Sequence, residues 1–359
     1  MSNGTHLLGF KTPTFLSTRG PGDMLPRAST IASIYETPIL PRLETLVGLI
    51  TRTVIETRIK DIESELRSAG YNYSTTSEKW EYTVYRVFVK YLGVSKIKGP
   101  VLVISRDNGN KEYYVNIGLG LLKINNGCQC PSMYSGLAEK IWRSIGEASV
   151  LEKYRITREV EEKLNELVEK ECMVYPHPLT STGISLDNVS KSTRHGLIYS
   201  YILQDYTRLT HGKSYTIGIL VDADISKIQD LVGNGITVSM GPRGRPAILV
   251  EEKLDQNPRC LGFTNSSGSK TAITPLPLAL VEGGGVAVVH PLRIKPLIIQ
   301  LAKSTIVAIV KKDKEEEEWA KTGMEPAYQP GSVVVEGSVK TRKIPRSNSG
   351  GLLELFYTV

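Results

Sequence analysis

The chain has 359 residues, of which 40% are apolar and 23% charged; this is the composition of a folded protein with room for one large or two moderate domains. It carries 44 Lys and Arg against 37 Asp and Glu, a net charge of +7. The acids gather in Glu147–Glu171 and Asp313–Glu318, so the remaining surface is more basic than the total and favours a polyanionic partner. No apolar run is long enough to span a bilayer, and the N-terminus lacks the layout of a signal peptide, so a cytoplasmic protein without membrane contact is expected. Cys128, Cys130, Cys172 and Cys260 lack paired C-x-x-C spacing and are read as reduced thiols, with a redox pair or half a metal site at Cys128-Gln129-Cys130 as the other readings.

In chain order, Thr5–Thr18 has the apolar content of a strand and ends in the turn cluster Arg19-Gly20-Pro21-Gly22-Asp23. From Arg42 to about Ala69 the period becomes helical, with Leu43, Leu46, Val47, Ile50, Val54, Ile62 and Leu66 on one face. Strand, basic loop and helix together open a ferredoxin-like unit. Trp80–Leu92 is compatible with strand or helix. Asn108-Gly109 between two apolar runs predicts a hairpin. Leu119–Met133 reads as loop and Ser135–Ile145 as a short helix. Leu151–Glu171, rich in Glu and Lys, reads as an exposed helix and a partner-facing insertion. Ser214–Val221 predicts a buried strand, Asp224 caps a helix over Ile225–Leu231, and strands at Ile236–Met240 and Ala247–Val250 flank a turn. Strands are also expected at Ser332–Glu336 and Leu352–Tyr357.

Two glycine-bearing basic turns, Lys191–Gly196 and Gly241–Arg245, are the candidate anion sites. Glycine allows close backbone approach, the free N–H groups of an irregular turn point outward, and arginine adds a forked permanent charge. Lys191, Arg194, His195, Arg243 and Arg245 are the residues expected to meet RNA there, with Tyr199, Tyr201 and Tyr206 as stacking surfaces. Lys11, Arg19, Arg27 and Arg42 surround the first loop, where solvated charge explains them equally well. Thr45 and Gly48 lie where a helix N-terminus meets a phosphate; a packing glycine is the plainer explanation. Asp222-Ala223-Asp224 is better explained by capping than by metal binding. Gly283-Gly284-Gly285 lacks the context of a nucleotide loop. Lys340–Arg346 is an RNA-facing hairpin or a solvated loop. His6, His177, His211 and His290 have no evident partners.

Six motifs in order resemble the third-subunit family of the Cmr complex, the type III-B CRISPR RNA-guided effector of the RAMP superfamily, which belongs to the handle-binding "Cas five" group. They are Phe15…Arg19…Gly22-Asp23; Pro41-Arg42-Leu43-Glu44-Thr45-Leu46-Val47-Gly48; Gly99-Pro100-Val101-Leu102 with Asp107…Tyr113-Tyr114; Gly183-Ile184-Ser185-Leu186-Asp187…Thr193-Arg194-His195-Gly196-Leu197-Ile198-Tyr199; Gly241-Pro242-Arg243-Gly244-Arg245-Pro246-Ala247; and Gln329-Pro330-Gly331-Ser332-Val333-Val334. Pro242, Arg243, Pro330 and Val334 depart from the family pattern. The resemblance implies an α+β protein of two ferredoxin-like (RRM-type) units facing across a cleft, residues 1–175 with a helical insertion and residues 176–359. It implies a non-catalytic subunit, without cofactor or metal, that grips the 5′ handle of the guide CRISPR RNA. Its partners would be the large polymerase-like subunit and a backbone RAMP subunit. The alternative function is a stand-alone RAMP endoribonuclease working by metal-free acid–base chemistry through His195; a metal-dependent transferase using Asp222 and Asp224 is a distant third.

Overall fold

In the computed structural model the described residues are 4–14, 34–35, 39–68, 81, 83–124, 128, 132–144, 149–175, 177–186, 193–211, 213–223, 225–233, 235–240, 245–254, 261–263, 270–288, 298–302, 306–309, 318–321, 324–344 and 352–359. The elements that build the fold are β1 (Gly4–Thr12), α1 (Leu43–Ser68), β2 (Lys96–Ser105), β3 (Lys111–Asn116), β4 (Leu121–Lys123), α2 (Ser132–Ser144) and α3 (Val150–Glu169). They continue with β5 (Met173–Val174), β6 (His177–Leu186), β7 (Thr193–Asp205), β8 (Tyr215–Ala223), α4 (Ile225–Val232), β9 (Thr237–Met240) and β10 (Arg245–Lys253). The last are β11 (Lys270–Thr271), β12 (Gly285–Val288), β13 (Ser332–Val335), β14 (Arg342–Ile344) and β15 (Leu353–Phe356). This is an α+β architecture dominated by antiparallel pairing.

A ten-stranded sheet runs in the order β9-β10-β1-β8-β2-β3-β4-β5, with β15 parallel to β2 and β14 beside β15. Two β-α-β crossovers interleave in it. β1 and β2, joined through α1, flank β8; β8 and β10, joined through α4, flank β1. Strands on both sides of the expected boundary at residue 175 therefore share one sheet.

Side chains alternate across a strand, and both faces of the central strands are buried. Leu8 and Phe10 of β1 and Ile217, Ile219 and Val221 of β8 join the first core with Leu43, Leu46, Val47, Ile50 and Val54 of α1 and Ile228 and Leu231 of α4. Leu7, Val101, Val103 and Leu220 point the other way, into a second core with Leu137 and Ile141 of α2 and Ile156, Val160, Leu164 and Leu167 of α3. Helix α3, expected to be exposed, is amphipathic: its charged residues face outward while this stripe is buried. The residues left open at 80–92 are helical over 83–91, and the stretch expected to be loop includes β4.

A three-stranded sheet, β11-β13-β12, packs on α2. The Tyr134 hydroxyl donates to the Gly331 carbonyl (2.9 Å), and Ser135 Oγ lies 3.0 Å from Thr271 Oγ1. The expected thiols are corrected at one point: Cys128 and Cys172 form a disulfide. Likewise His6 has a partner, since its Nδ1 lies 2.8 Å from Glu251 Oε1 across β1 and β10. Among the described residues no helix is long and apolar enough to cross a membrane.

Candidate nucleic-acid interface

Register places several of the expected residues at one end of the sheet. Thr12 pairs with Tyr215, Lys11 with Ile248 and Thr216, and Met240 with Arg245, so β1 and β9 end where β8 and β10 begin. Thr12 Oγ1 donates to the Pro246 carbonyl (3.0 Å) and ties the end of β1 to the start of β10. At this edge Lys11 is exposed and Arg245 half-buried. The flanks of the turn 241–244 and of the first basic loop therefore leave from neighbouring strand ends. Arg19, Arg27, Lys191 and Arg243 themselves lie outside the described residues, as do Gly241, Gly244 and Asp224.

The N-terminus of α1 is arranged for packing. Leu43 N–H donates to Thr274 Oγ1 (3.2 Å), and Glu44 in the first turn accepts from the Tyr357 hydroxyl (2.7 Å). A hydroxyl and a carboxylate thus already complement the free N–H groups and the positive end of the helix dipole. Arg42, just before the helix, is half-buried; burial pulls its guanidinium pKa down, and the Glu44 carboxylate opposes that. Thr45 is exposed.

Thr193, Arg194, His195 and Gly196, expected in a turn, belong to strand β7. The β6–β7 pairing shifts between Ile184 and Leu186, which leaves Arg194 and His195 opposite an irregularity close to the hairpin end. Asp205 at the other end of β7 is eleven steps along the strand from Arg194, roughly 36 Å of backbone at about 3.3 Å per residue.

Tyr206 is also corrected. It has 0% exposure and offers no stacking surface. Its ring instead meets that of Tyr215 edge to face, with centroids 5.0 Å apart and planes at 64°. Burial pushes both hydroxyls up, so they remain protonated donors, and they find backbone acceptors. Tyr206 donates to the Ile39 carbonyl and Tyr215 to the Thr14 carbonyl.

Beside this edge a buried charge cluster braces the β2–β3 hairpin. Glu112 accepts from Arg106 Nε (2.6 Å), Lys123 Nζ (2.5 Å) and the Tyr114 hydroxyl (2.8 Å), and Arg106 also donates to the Leu209 carbonyl (3.0 Å). Burial by itself would raise the Glu112 carboxyl; the Lys123 ammonium, the Arg106 guanidinium and the Tyr114 hydroxyl outweigh it and hold the group below the ordinary carboxylate value. These cations are committed within the protein. A strong basic residue in sequence is therefore no guide to which charge is presented. Among the described residues no group of three or more His, Cys, Asp or Glu has the arrangement of a metal site.

The α+β fold has counterparts among solved structures. The chain is similar to a chain in the type III-B Cmr-beta assembly bound to cognate target RNA and AMPPnP, at 16% identity and a TM-score of 0.50, covering 92% of this chain and 85% of that one. A chain of the same assembly bound to cognate target RNA gives a TM-score of 0.49 at 15% identity, over 92% and 86% of the two chains. A chain of the Csm1-Csm4 cassette in complex with cA4 gives 0.35 at 12% identity, over 99% and 96%. No family model matches, and no curated protein matches. At these identities the likeness is one of fold.

Proposed function

We propose that this chain is a non-catalytic RNA-binding subunit of a type III CRISPR effector, of the third-subunit kind, which grips the 5′ handle of the guide RNA. The observation that carries the reading is the fold match along 92% of the chain to a subunit of an RNA-bound type III-B assembly. The β10-β1-β8-β2 order with its two interleaved crossovers supports a ferredoxin-like unit, a scaffold that suits single-stranded RNA held in one shape. Lys11 and Arg245 lie at the shared edge where β1 ends and β10 begins, and in this reading their charges supply phosphate contacts. The partners in this reading are the large polymerase-like subunit on one side and the first backbone RAMP subunit on the other.

The test is RNA binding by the full chain. Affinity for single-stranded RNA should fall steeply with salt, because phosphate contacts release counterions. The Lys11→Glu, Arg245→Glu pair should weaken it at least tenfold; unchanged affinity would remove this edge from the interface. Incubating the chain with repeat RNA in EDTA addresses the nuclease alternative: cleavage that disappears in His195→Ala would replace the scaffold reading.

A further inference from the structure

The neighbouring strands β10, β1, β8, β2 and β3 each bring a cation to the same end of the large sheet. Thr12 at the end of β1 pairs with Tyr215 at the start of β8, and Tyr215 pairs in turn with Ile104 near the end of β2. Arg245 opens β10, Lys11 lies next to the last residue of β1, Lys213 stands two residues before β8, Arg106 directly follows β2 and Lys111 opens β3. Adjacent strands are about 5 Å apart, so these residues line one sheet end. Three of them face an acid: Arg106 pairs with Glu112, Lys111 with Glu252 (3.4 Å) and Lys213 with Asp107. Glu112 is buried and Glu252 half-buried. The Lys213–Asp107 pair instead lies in water, its side chains 55% and 81% exposed. An ion pair in that setting contributes little and is screened by salt.

The backbone behind the pair is fixed. Lys213 N–H donates to the Thr210 carbonyl (3.1 Å), and the Lys213 carbonyl accepts from the buried Thr210 Oγ1 (2.5 Å). On the other side, Arg106 Nη1 donates to the Leu209 carbonyl (3.0 Å) and holds the hairpin that carries Asp107 against the same turn. Only two exposed side chains need move for the pair to part.

We propose that Lys213 is a further phosphate contact of the RNA-binding edge, and that Asp107 occupies it until RNA binds. This rests on the RNA-binding reading above. A phosphate offers the ammonium the same charge as the Asp107 carboxylate, so the exchange gives up only a weak surface pair. Parting Glu112 from Arg106 would instead leave a buried charge uncompensated. Lys11, exposed on the adjacent strand, supplies the neighbouring cation.

Binding of the full chain to a fluorescently labelled single-stranded RNA of mixed sequence is measured over a range of salt concentrations for the wild type, Lys213→Ala, Asp107→Asn and the double variant. Lys213→Ala should bind several-fold more weakly, and its slope of log affinity against log salt should flatten by about 0.7, the value for one phosphate contact on a single strand. Asp107→Asn should bind roughly two- to fivefold more tightly, the magnitude of an exposed ion pair. Removing any acid near RNA raises affinity somewhat, so the double variant decides: without Lys213, the gain from Asp107→Asn should vanish. An equal gain in both backgrounds would make Asp107 a general charge and overturn the competition. An unchanged salt slope in Lys213→Ala would remove the contact itself. Both of these outcomes leave the wild-type chain binding RNA; if it binds none, the RNA reading falls and this inference with it.

Discussion

Cys128 and Cys172 are bonded across the base of an insertion that contains two helices, α2 and α3. The same base is closed by β4–β5 pairing and by Lys123 N–H donating to the Cys172 carbonyl (2.8 Å). Cys172 lies in the second core. The covalent link removes freedom from the unfolded chain over a sequence separation of 44, which in the chain-entropy account is worth roughly 4 kcal/mol. The Cys128→Ser, Cys172→Ser pair should therefore melt well below the oxidised wild type. Calorimetry with and without a dithiol reductant checks this, and reductant should have no further effect on the variant. Equal midpoints for the oxidised wild type and the variant would mean that the link is not stabilising.

Glu112 is the acceptor for three donors: Arg106 just after β2, Tyr114 on β3 and Lys123 on β4. Glu112→Gln would leave Lys123 and Arg106 with a neutral partner in a buried setting, and breaking a buried pair in this way costs about 3–5 kcal/mol. The carboxyl is held below its ordinary value in the folded chain. Its contribution is therefore present above the unfolded pKa of 4.5 and is lost as pH falls through the lowered folded value. Denaturant titrations of both proteins from neutral pH into acid should show the gap closing as pH falls below 4.5. A gap independent of pH would assign the loss to packing.

Much of this arrangement is legible in the sequence, and the rest fails for identifiable reasons. The Asn108-Gly109 hairpin, α1 and the strands 215–223 and 353–356 are local patterns: a turn dipeptide, a helical period, an apolar run. The insertion of β8 between β1 and β2 is not local, because Leu7 and Leu220 are paired across most of the chain. A boundary at 175 follows naturally from reading segments in order, and the sharing of one sheet by strands from both sides of it is long-range pairing that such a reading does not show. Burial decided two other points. Tyr206 looks like a stacking residue until tertiary packing closes over it, and α3 looks like a solvated helix because its charges outnumber the apolar stripe. The partner of Cys128 is not encoded in spacing at all. For the candidate interface, Lys11 and Arg245 are readable as basic residues next to turns, whereas the hydrogen bond from Tyr215 to the Thr14 carbonyl depends on tertiary packing.

Lys98 on β2 is 3% exposed; its Nζ donates to the Gly262 carbonyl (2.5 Å) and lies 5.6 Å from the centre of the Phe356 ring. Burial, assisted by the nearby Lys270 charge, pulls its pKa from 10.5 down to about 8. The unfolded chain thus holds this proton to higher pH than the folded chain, so between about 8 and 10.5 stability should rise with pH. The total gain should be no more than roughly 3.5 kcal/mol, since each pKa unit is worth about 1.4 kcal/mol. Lys98→Met should show no such rise. Unfolding free energies of the two proteins across this window, taken as a difference, isolate the lysine, and a flat difference would contradict its burial as a charged group.

Gly331 explains one of the recognisable motifs by packing rather than by ligand contact. Its φ is +83°, and a Cβ there would lie 1.9 Å from the Ile117 carbonyl oxygen. Gly118 meets the same crossing from the other side: its φ is +79°, and its Cβ would lie 2.3 Å from the Pro330 carbonyl oxygen. Two turns, one after β3 and one before β13, approach backbone to backbone, and the Tyr134 hydroxyl bonds to the Gly331 carbonyl. A methyl at either position meets backbone that has no rotamer to change, in a conformation that already costs an L-residue about 1–3 kcal/mol. Gly331→Ala should therefore lower the melting temperature strongly and loosen the contact between α2 and β13. Hydrogen exchange should rise first in β13, while amides of β1 and β8 in the central sheet stay protected until global unfolding. An alanine variant that melts like the wild type would show that the crossing can relax, and the glycine would then need a different explanation.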